Sequence, residues 1–453
     1  MKIKLFILGH LLLLVLSASS QPIAFYPHGV GGGGALFFPT INPGNDNEYY
    51  VSCDMSQSFH TTNFGMTYSQ CDFAQLQVSN NSTFEFTNDG FTAYTIYNDG
   101  NNEFPVKSTD GGATWSTINA YNLGTYGSAY ALKANYYNPD QLIVGAYGDI
   151  LISNDGGASF SLVETANSMG AGLILGGVFF DGQNIYIGTN DGLLYSTNGG
   201  TSFSTMTTTG MTAGQVIWNF AGAKNGGTTR FTCIAADVSG TYNGIKPWDY
   251  WGFAKAVYTM DNANGTWVDK SAGINFSNDF IMYCAMAWND INTIYLGGND
   301  NANSTPLVLK STTGGTNWTS KYQTINNANI ATGWEGYQGD KNFSWSETCF
   351  GITAAPNNSS KIIFSNFSNV QVSSDGGDYW RQAYVDQGDE NPSGNPTPKH
   401  RAYHSIGLEN TTSWQVLWTS PTNVLAAFSD IGLIRSTDMG WSWGFQYTGL
   451  AVN

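Results

Sequence analysis

Two aspartates near opposite ends of this 453-residue chain hold almost the same offset from a repeated turn motif. Asp54 stands nine residues before Asn63 of the first copy, and Asp430 stands eight residues before Asp438 of the last. A pair of carboxyl groups facing one cleft can perform general acid–base chemistry, with one group protonated and the other ionised. The structural alternative is that each aspartate accepts hydrogen bonds from backbone amides of its own turn.

The motif consists of a small hydroxyl residue, any residue, Asp or Asn, any residue, Gly, any residue, a mostly polar residue and an aromatic residue. Ser108–Trp115 is a typical copy. The copies start at Thr61, Ser108, Ser153, Ser196, Ser311, Ser373 and Ser436. The interval from Ser196 to Ser311 is long enough for two units, so we expect a worn copy at Met260–Trp267.

Each copy has the chemistry of a hairpin turn. An Asp or Asn side chain bonds the amides of its own turn, and Gly adopts positive φ without a steric penalty. We therefore expect a structural role for the acidic or amide residue at the third motif position: Asp110, Asp155, Asn198, Asp375 and Asp438. The closing aromatic residue, such as Trp115, is expected to pack between sheets.

Short runs rich in Ile, Val, Tyr and Phe precede the copies and are typical of strands, and no strong helix signal interrupts them. Many short strands with one hairpin signature per unit indicate a β-propeller. The predicted fold class is therefore all-β. Residues 21–412 are expected to form a seven-bladed β-propeller, and residues 413–453 the first blade of a second, truncated propeller.

Composition excludes several classes of function. The formal net charge of −16, with no basic run after the first residues, argues against a nucleic-acid or anionic-membrane surface. Residues 1–20 have a basic start, an apolar run and small residues before Gln21, which indicates a signal peptide. The mature chain is then expected to be secreted or held at the cell surface, without membrane insertion.

Five cysteines follow the predicted signal peptide, and none shows paired metal-ligand spacing. We expect no metal and no cofactor. Cys53 and Cys71 flank one turn and could form a disulfide, but buried reduced thiols are the preferred interpretation.

The repeat resembles the Asp-box (BNR) motif, and the start of the mature chain narrows that resemblance. Gly29–Pro39, the Asn42–Pro43 turn and Tyr50–Asp54 are similar to the opening of xyloglucan-active glycoside hydrolases. That family consists of two seven-bladed propellers in tandem, with one catalytic Asp on the first blade of each and a cleft between them. The resemblance implies an inverting hydrolase of a β-1,4-glucan such as xyloglucan, with Asp54 as base and Asp430 as acid. Its two carboxyl groups would stand about 6.5–9.5 Å apart.

The sequence departs from that family at both sites. Met55-Ser-Gln follows Asp54 where Ile-Gly-Gly is usual, and Leu433 stands where a second Gly is common. Only the opening of the second propeller is present.

Aromatic residues in the long segments between motifs could support sugar rings, because binding loops usually lie in such insertions. The predicted substrate-binding residues are Trp248, Tyr250, Trp251, Trp334, Tyr337 and Trp345. For any one of them, packing between blades is an equal alternative.

A second class of function is a non-catalytic propeller that binds glycan or protein, as sortilin-type receptors bind ligands. A sialidase is disfavoured, because it needs three arginines, the first near the N-terminus. This chain has four arginines and none before Arg230.

Overall fold

The computed structural model describes residues 28–237 and 252–447. Within these ranges the chain is almost entirely β, and eight sheets follow one another along the sequence. Neighbouring strands pair antiparallel, except that β25 joins β29 in parallel at the edge of the seventh sheet. The predicted all-β propeller fold is confirmed.

The strands of the first four sheets are as follows. The first sheet contains β1 (Leu36–Asn42), β2 (Asn45–Cys53), β3 (Ser58–Thr61) and β4 (Ser69–Gln70). The second contains β5 (Glu85–Phe86), β6 (Ala93–Asn98), β7 (Glu103–Ser108) and β8 (Ser116–Thr117). The third contains β9 (Ala129–Ala134), β10 (Leu142–Ala146), β11 (Asp149–Ser153) and β12 (Ser161–Thr165). The fourth contains β13 (Gly177–Asp181), β14 (Asn184–Thr189), β15 (Gly192–Ser196) and β16 (Ser204–Thr205).

The remaining sheets continue in the same order. The fifth contains β17 (Gln215–Asn225), β18 (Thr228–Asp237), β19 (Ala254–Asp261) and β20 (Val268–Asp269). The sixth contains β21 (Asp279–Ala285), β22 (Ile294–Asp300), β23 (Thr305–Ser311) and β24 (Thr319–Ser320). The seventh contains β25 (Ile330–Ala331), β26 (Ile352–Ala355), β27 (Asn358–Ser365), β28 (Val370–Ser373) and β29 (Trp380–Gln382). The eighth contains β30 (Ser413–Trp418), β31 (Val424–Phe428), β32 (Gly432–Ser436) and β33 (Gly444–Phe445).

Helices are short. Among the described residues, the connections between strands contain two single-turn α-helices, α1 (Leu123–Tyr126) and α2 (Phe343–Ser346), and two 3₁₀ turns, Ile325–Asn327 and Gln387–Asp389. No helix within the described ranges is long and apolar enough to cross a membrane.

The first seven sheets pack in a ring. Strand β1 packs against β26 and β27 of the seventh sheet, which closes the circle. A central channel of about 350 Å³ is lined by residues from one strand of each of the first seven sheets: β1, β5, β9, β13, β17, β21 and β26. The eighth sheet contributes none of the described lining residues, so it lies outside the ring.

The eighth sheet is docked on one side and open on the other. Val424 and Ile434 join the core that also holds Leu36 of the first sheet and Ile363 of the seventh. All six residues of β30 are nevertheless exposed, in contrast to the first strands of the other sheets. The eighth sheet therefore resembles a propeller blade with one face covered by a neighbouring sheet and the other face exposed to solvent. That residues 413–453 begin a second propeller stays a prediction.

The turn motifs connect the third and fourth strands of their sheets. The worn copy at Met260–Trp267 joins β19 to β20, as expected from its interval, and Trp267 is buried. Because the strands are antiparallel, the connections between second and third strands lie at the opposite rim of the ring. Asp54 lies at that opposite rim, and Asp430 lies in the corresponding connection of the eighth sheet.

The closing aromatic residues differ in burial. Trp380 is fully buried and its indole nitrogen donates to the Lys321 carbonyl oxygen at 2.8 Å. Trp115 is only partly buried, with its ring edge-on to Phe84 and its nitrogen bonded to its own turn at Gly112. The expectation that Trp115 is a core residue therefore holds only in part.

Substitution of the two tryptophans should separate these environments. We expect Trp380→Ala to lower the free energy of unfolding by about 3–5 kcal/mol, since it removes a fully buried aromatic ring. Trp115→Ala should cost clearly less. Chemical denaturation of both variants and the parent checks this, and equal losses would contradict the difference in burial.

Candidate active site

A glycine-rich segment at the start of the described chain, Gly29–Gly34, passes between the ring and the eighth sheet. The amide of Gly32 donates to the Leu408 carbonyl oxygen and that of Gly33 to the Ser368 carbonyl oxygen, both at 2.8 Å. A Cβ at Gly34 would lie 1.7 Å from the Asn410 carbonyl oxygen. The segment therefore needs glycine because other backbone atoms fill the space of a side chain.

This close approach brings the first and eighth sheets together. A Cβ at Gly33 would stand 2.8 Å from Cγ2 of Ile431, the residue after Asp430. On the other side of the junction, the Thr412 hydroxyl contacts the Met55 sulfur at 3.0 Å. The two sheets thus meet beside both predicted catalytic residues.

Asp54 and Asp430 occupy equivalent positions in their sheets. Asp54 directly follows β2, and Asp430 follows β31 by two residues, so each lies in the connection between a second and a third strand. Both side chains are exposed. The Asp430 carboxylate accepts a hydrogen bond from the Thr411 hydroxyl at 2.8 Å. The similar offsets in the sequence therefore reflect equivalent places in two sheets that contact each other.

The two carboxyl groups interact electrostatically. Burial by surrounding protein raises the pKa of Asp54, and the charge of Asp430 acts in the same direction. The thiol of Cys53, 3.5 Å away, opposes this shift. Because Asp54 remains exposed, water screens part of the effect. A raised pKa is the direction that a proton-donating carboxyl requires, whereas the resemblance implies that Asp54 is the base.

The predicted sugar platforms in the loop after β25 have different environments. Trp334 is fully buried, and its indole nitrogen donates to the Gly31 carbonyl oxygen at 3.1 Å. The Trp334 indole contacts Tyr384, which follows the seventh sheet, and Phe445 of the eighth sheet. Trp334 is therefore a core residue at the junction and has no open face for a sugar. The sequence could not distinguish this case from an exposed platform.

Trp345 and Tyr337 are partly buried. The Trp345 ring contacts Trp334 at 5.6 Å between centroids, and the Lys341 ammonium lies 5.3 Å from its centroid. Tyr337 is fixed through its backbone amide, which donates to the Asn327 side chain at 2.8 Å. The remaining predicted platforms, Trp248, Tyr250 and Trp251, lie outside the described residues.

Two residues near Asp430 were missed by the sequence analysis. Trp414 on β30 is 75% exposed, and its indole nitrogen donates to the Ser429 hydroxyl at 2.7 Å, next to Asp430. Lys341 interacts electrostatically with Asp430. A Trp on a strand is normally expected to be buried in a core, so the sequence provided no reason to select Trp414. Its exposure becomes evident only from the structure, in which β30 is open to solvent.

The acidic residues of the turn motifs accept hydrogen bonds from other residues of the same turn. The Asp110 carboxylate accepts from the amide and the hydroxyl of Thr114, at 2.9 and 2.6 Å, and from the hydroxyl of Ser108. The third-position residues each accept a bond from the amide four residues later: Asp155, Asn198, Asp375 and Asp438. These bonds lower the pKa of Asp110 and Asp155 to about 2.

The thiols add no crosslink. All five cysteines are free, and Cys53, Cys233, Cys284 and Cys349 are buried. Cys71 is partly buried and is not joined to Cys53. The preferred interpretation of reduced thiols agrees with the structure.

The sequence matches no protein-family model. It also matches no curated protein. Solved structures that are similar include an ancestral GH74 enzyme, with a TM-score of 0.66 and 17% identity over 94% of this chain and 56% of that chain. The GH74 enzyme of Niastella koreensis has a TM-score of 0.58 and 15% identity, over 91% of this chain and 66% of its own. The GH74 xyloglucanase of Xanthomonas campestris has a TM-score of 0.59 and 14% identity, over 92% and 68%.

At such identities the likeness establishes the propeller fold alone. The chain spans about half the length of the ancestral GH74 enzyme (56%).

The close approach at Gly34 can be tested by adding a methyl group. Gly34→Ala should lower the free energy of unfolding by about 1–3 kcal/mol, the usual cost of overpacking, and should expose the eighth sheet to protease. Gly227→Ala is the matched control, because no atom lies within 4 Å of the position that its Cβ would take, and it should change stability by less than about 0.5 kcal/mol. Denaturation curves and limited proteolysis report both effects, and equal behaviour of the two variants would rule out the tight junction.

Proposed function

We propose that this chain is the first propeller and the opening blade of a secreted glycoside hydrolase that cleaves a β-1,4-glucan, such as xyloglucan, with inversion. The observation that carries the proposal is the pairing of Asp54 and Asp430 at one junction of two sheets, far from each other in sequence and at equivalent hairpins. An inverting hydrolase needs two such carboxyl groups, with room for a water molecule on one side of the sugar ring.

The surroundings of the pair support this chemistry. The two groups differ in environment: protein burial favours the protonated form of Asp54, while Asp430 accepts the Thr411 hydroxyl bond and interacts with the positive charge of Lys341. Carboxyl groups with different environments can divide the roles of acid and base. We therefore propose Asp54 as the proton donor and Asp430 as the base, the reverse of the assignment that the family resemblance implies.

Trp414 supplies the aromatic surface of the proposed cleft. Its ring is exposed beside Asp430, and its orientation is fixed by the hydrogen bond to Ser429. Aromatic faces bury the C–H face of a sugar ring, while nearby polar groups bond its hydroxyls. The open face of the eighth sheet is consistent with a second propeller forming the other wall of the cleft.

Residues 1–20 are proposed to be a signal peptide, which would deliver the protein to the extracellular space or the cell surface. The proposed partner is a neutral polysaccharide, since a chain with a net charge of −16 does not favour anionic polymers.

The test is hydrolysis by the longest natural version of the chain. We expect release of reducing sugar from xyloglucan, and proton NMR should show inversion at the anomeric carbon. Asp54→Asn and Asp430→Asn should each lower the rate by about 10²–10⁴-fold, the usual contribution of a general acid or base. Circular dichroism of the same samples should match the parent, because Asn can still bond amides.

Leaving-group dependence separates the two roles. A substrate with a strongly activated aryl leaving group, such as 2,4-dinitrophenolate, needs no proton from the enzyme, so it should restore the rate of the acid variant alone, which we expect to be Asp54→Asn. Restoration of Asp430→Asn instead would return the roles to those of the resemblance. Full activity of either variant, or binding of glucan without cleavage by the parent, would favour the non-catalytic binding propeller.

A further inference from the structure

Lys341 lies at the end of a tightly fixed loop, Gly333–Lys341, next to the proposed cleft. Within this loop the Gly336 amide donates to the Lys341 carbonyl oxygen at 2.9 Å. The neighbouring Asp340 carboxylate accepts the His400 amide at 3.1 Å and the Tyr447 hydroxyl at 2.9 Å. These bonds hold the backbone of Lys341 in place and leave Asp340 engaged elsewhere.

The Lys341 ammonium rests on an aromatic ring and not on a carboxylate. It lies 5.3 Å from the centroid of Trp345, a cation–π distance. Within the described ranges, no carboxylate oxygen lies within 4.0 Å of its Nζ atom, and no hydrogen bond joins it to an acceptor. Burial lowers the pKa of Lys341, while the charge of Asp430 acts to raise it. Lys341 and Asp430 thus attract each other without forming a direct ion pair.

An ammonium group has three hydrogen-bond donors and no acceptor, and leaving them unpaired in a half-buried place is unfavourable. A ligand that binds at the exposed Asp430 and reaches the partly exposed Lys341 can supply the acceptor. The negative charge of Asp430 would repel an anionic ligand and the positive charge of Lys341 a cationic one, while Asp54, as the proposed proton donor, is neutral. The charges therefore favour a neutral ligand rich in hydroxyl oxygens.

We propose that Lys341 is a substrate-binding residue, whose ammonium donates to a hydroxyl of the sugar unit that lies against Asp430. In this arrangement one face of the Trp345 ring is covered by the Lys341 ammonium, so that face is not available to a sugar. The proposal rests on the proposed function for the identity of the ligand. The charge interaction between Lys341 and Asp430 can be tested without any ligand.

The ligand-free experiment follows the titration of the lysine side chains by NMR in protein labelled with ¹³C at the lysine ε-carbons. Lys341→Arg identifies the signal of Lys341. In Asp430→Asn, we expect that signal to titrate about 0.3–1 pH unit lower than in the parent, because a nearby negative charge has been removed. Lys361 is the internal control, since it also lies over an aromatic ring, Phe64 at 4.8 Å, and its signal should not move. An unchanged Lys341 titration would overturn the charge interaction.

The ligand experiment measures the affinity of a xyloglucan-derived oligosaccharide by calorimetry. Lys341→Met should weaken binding by at least about tenfold, the order expected for a hydrogen bond from a charged donor, and Lys341→Arg should keep part of the affinity. Lys361→Met is the matched control and should bind like the parent. If Lys341→Met does not fold, a shift of the Lys341 signal on addition of the oligosaccharide to the parent gives the same answer.

The outcomes separate the two proposals. Undiminished binding by a folded Lys341→Met variant overturns the role of Lys341, even where xyloglucan is cleaved. A parent that binds no neutral oligosaccharide overturns both the role of Lys341 and the proposed function. Tighter binding of sulfate than of oligosaccharide at Lys341 would assign the ammonium to anions and also overturn the proposal.

Discussion

The packing of the eighth sheet against the ring depends on glycine residues, whose lack of a side chain lets the backbone of two segments come into direct contact. Between the ring and the eighth sheet, Gly31 faces the Tyr384 carbonyl oxygen and Gly34 faces that of Asn410, at distances where a Cβ could not fit. Close contact of this kind lets one extended segment bond to the loop at Ser368, to the loop at Leu408 and to the side chain of Asn410 at once. The eighth sheet is held against the first because these bonds and the packing of Ile431 on Gly33 act together. Without that junction, nothing would bring Asp54 and Asp430 to one place.

The repeated turn motif determines the local shape of each hairpin, whereas the glycine junction determines how the eighth sheet packs on the ring. A typical turn motif, such as Ser108–Trp115, acts locally: Asp110 and the hydroxyl of Ser108 accept hydrogen bonds from amides of the same turn, and Gly adopts positive φ. Turns at equivalent places recur in all eight described sheets, but none of them determines how the eighth sheet sits on the ring. That arrangement depends on contacts between residues more than three hundred positions apart, such as Thr412 with Met55 and Trp443 with His28.

The sequence predicted the local features well and the long-range ones poorly. The motif spacing was sufficient to locate the hairpins, including the worn copy at Met260–Trp267, because the residues that determine each turn lie within eight consecutive positions. Burial of an aromatic ring depends on what lies on its other side. Trp334 is covered by the glycine segment, which sequence periodicity cannot show, and Trp414 is exposed on a strand where a buried residue is expected. Lys341 carried no signal at all, since its proposed role depends on the Trp345 ring and the Asp430 charge, which only folding brings near it.

The two classes of aspartate show how the same side chain serves fold and chemistry. Asp110 accepts three hydrogen bonds from its own turn, and these bonds lower its pKa to about 2, so it stays ionised and unreactive over the whole physiological range. Asp54 lies at the opposite rim with a thiol as its side-chain partner, and burial raises its pKa. Hydrogen bonds from the turn fix the first group as an anion, whereas burial and the charge of Asp430 favour the protonated form of the second. A repeat of many aspartates can therefore accompany the single pair that is proposed to be reactive, because Asp54 and Asp430 lie outside the turns that hold the other carboxyl groups as anions.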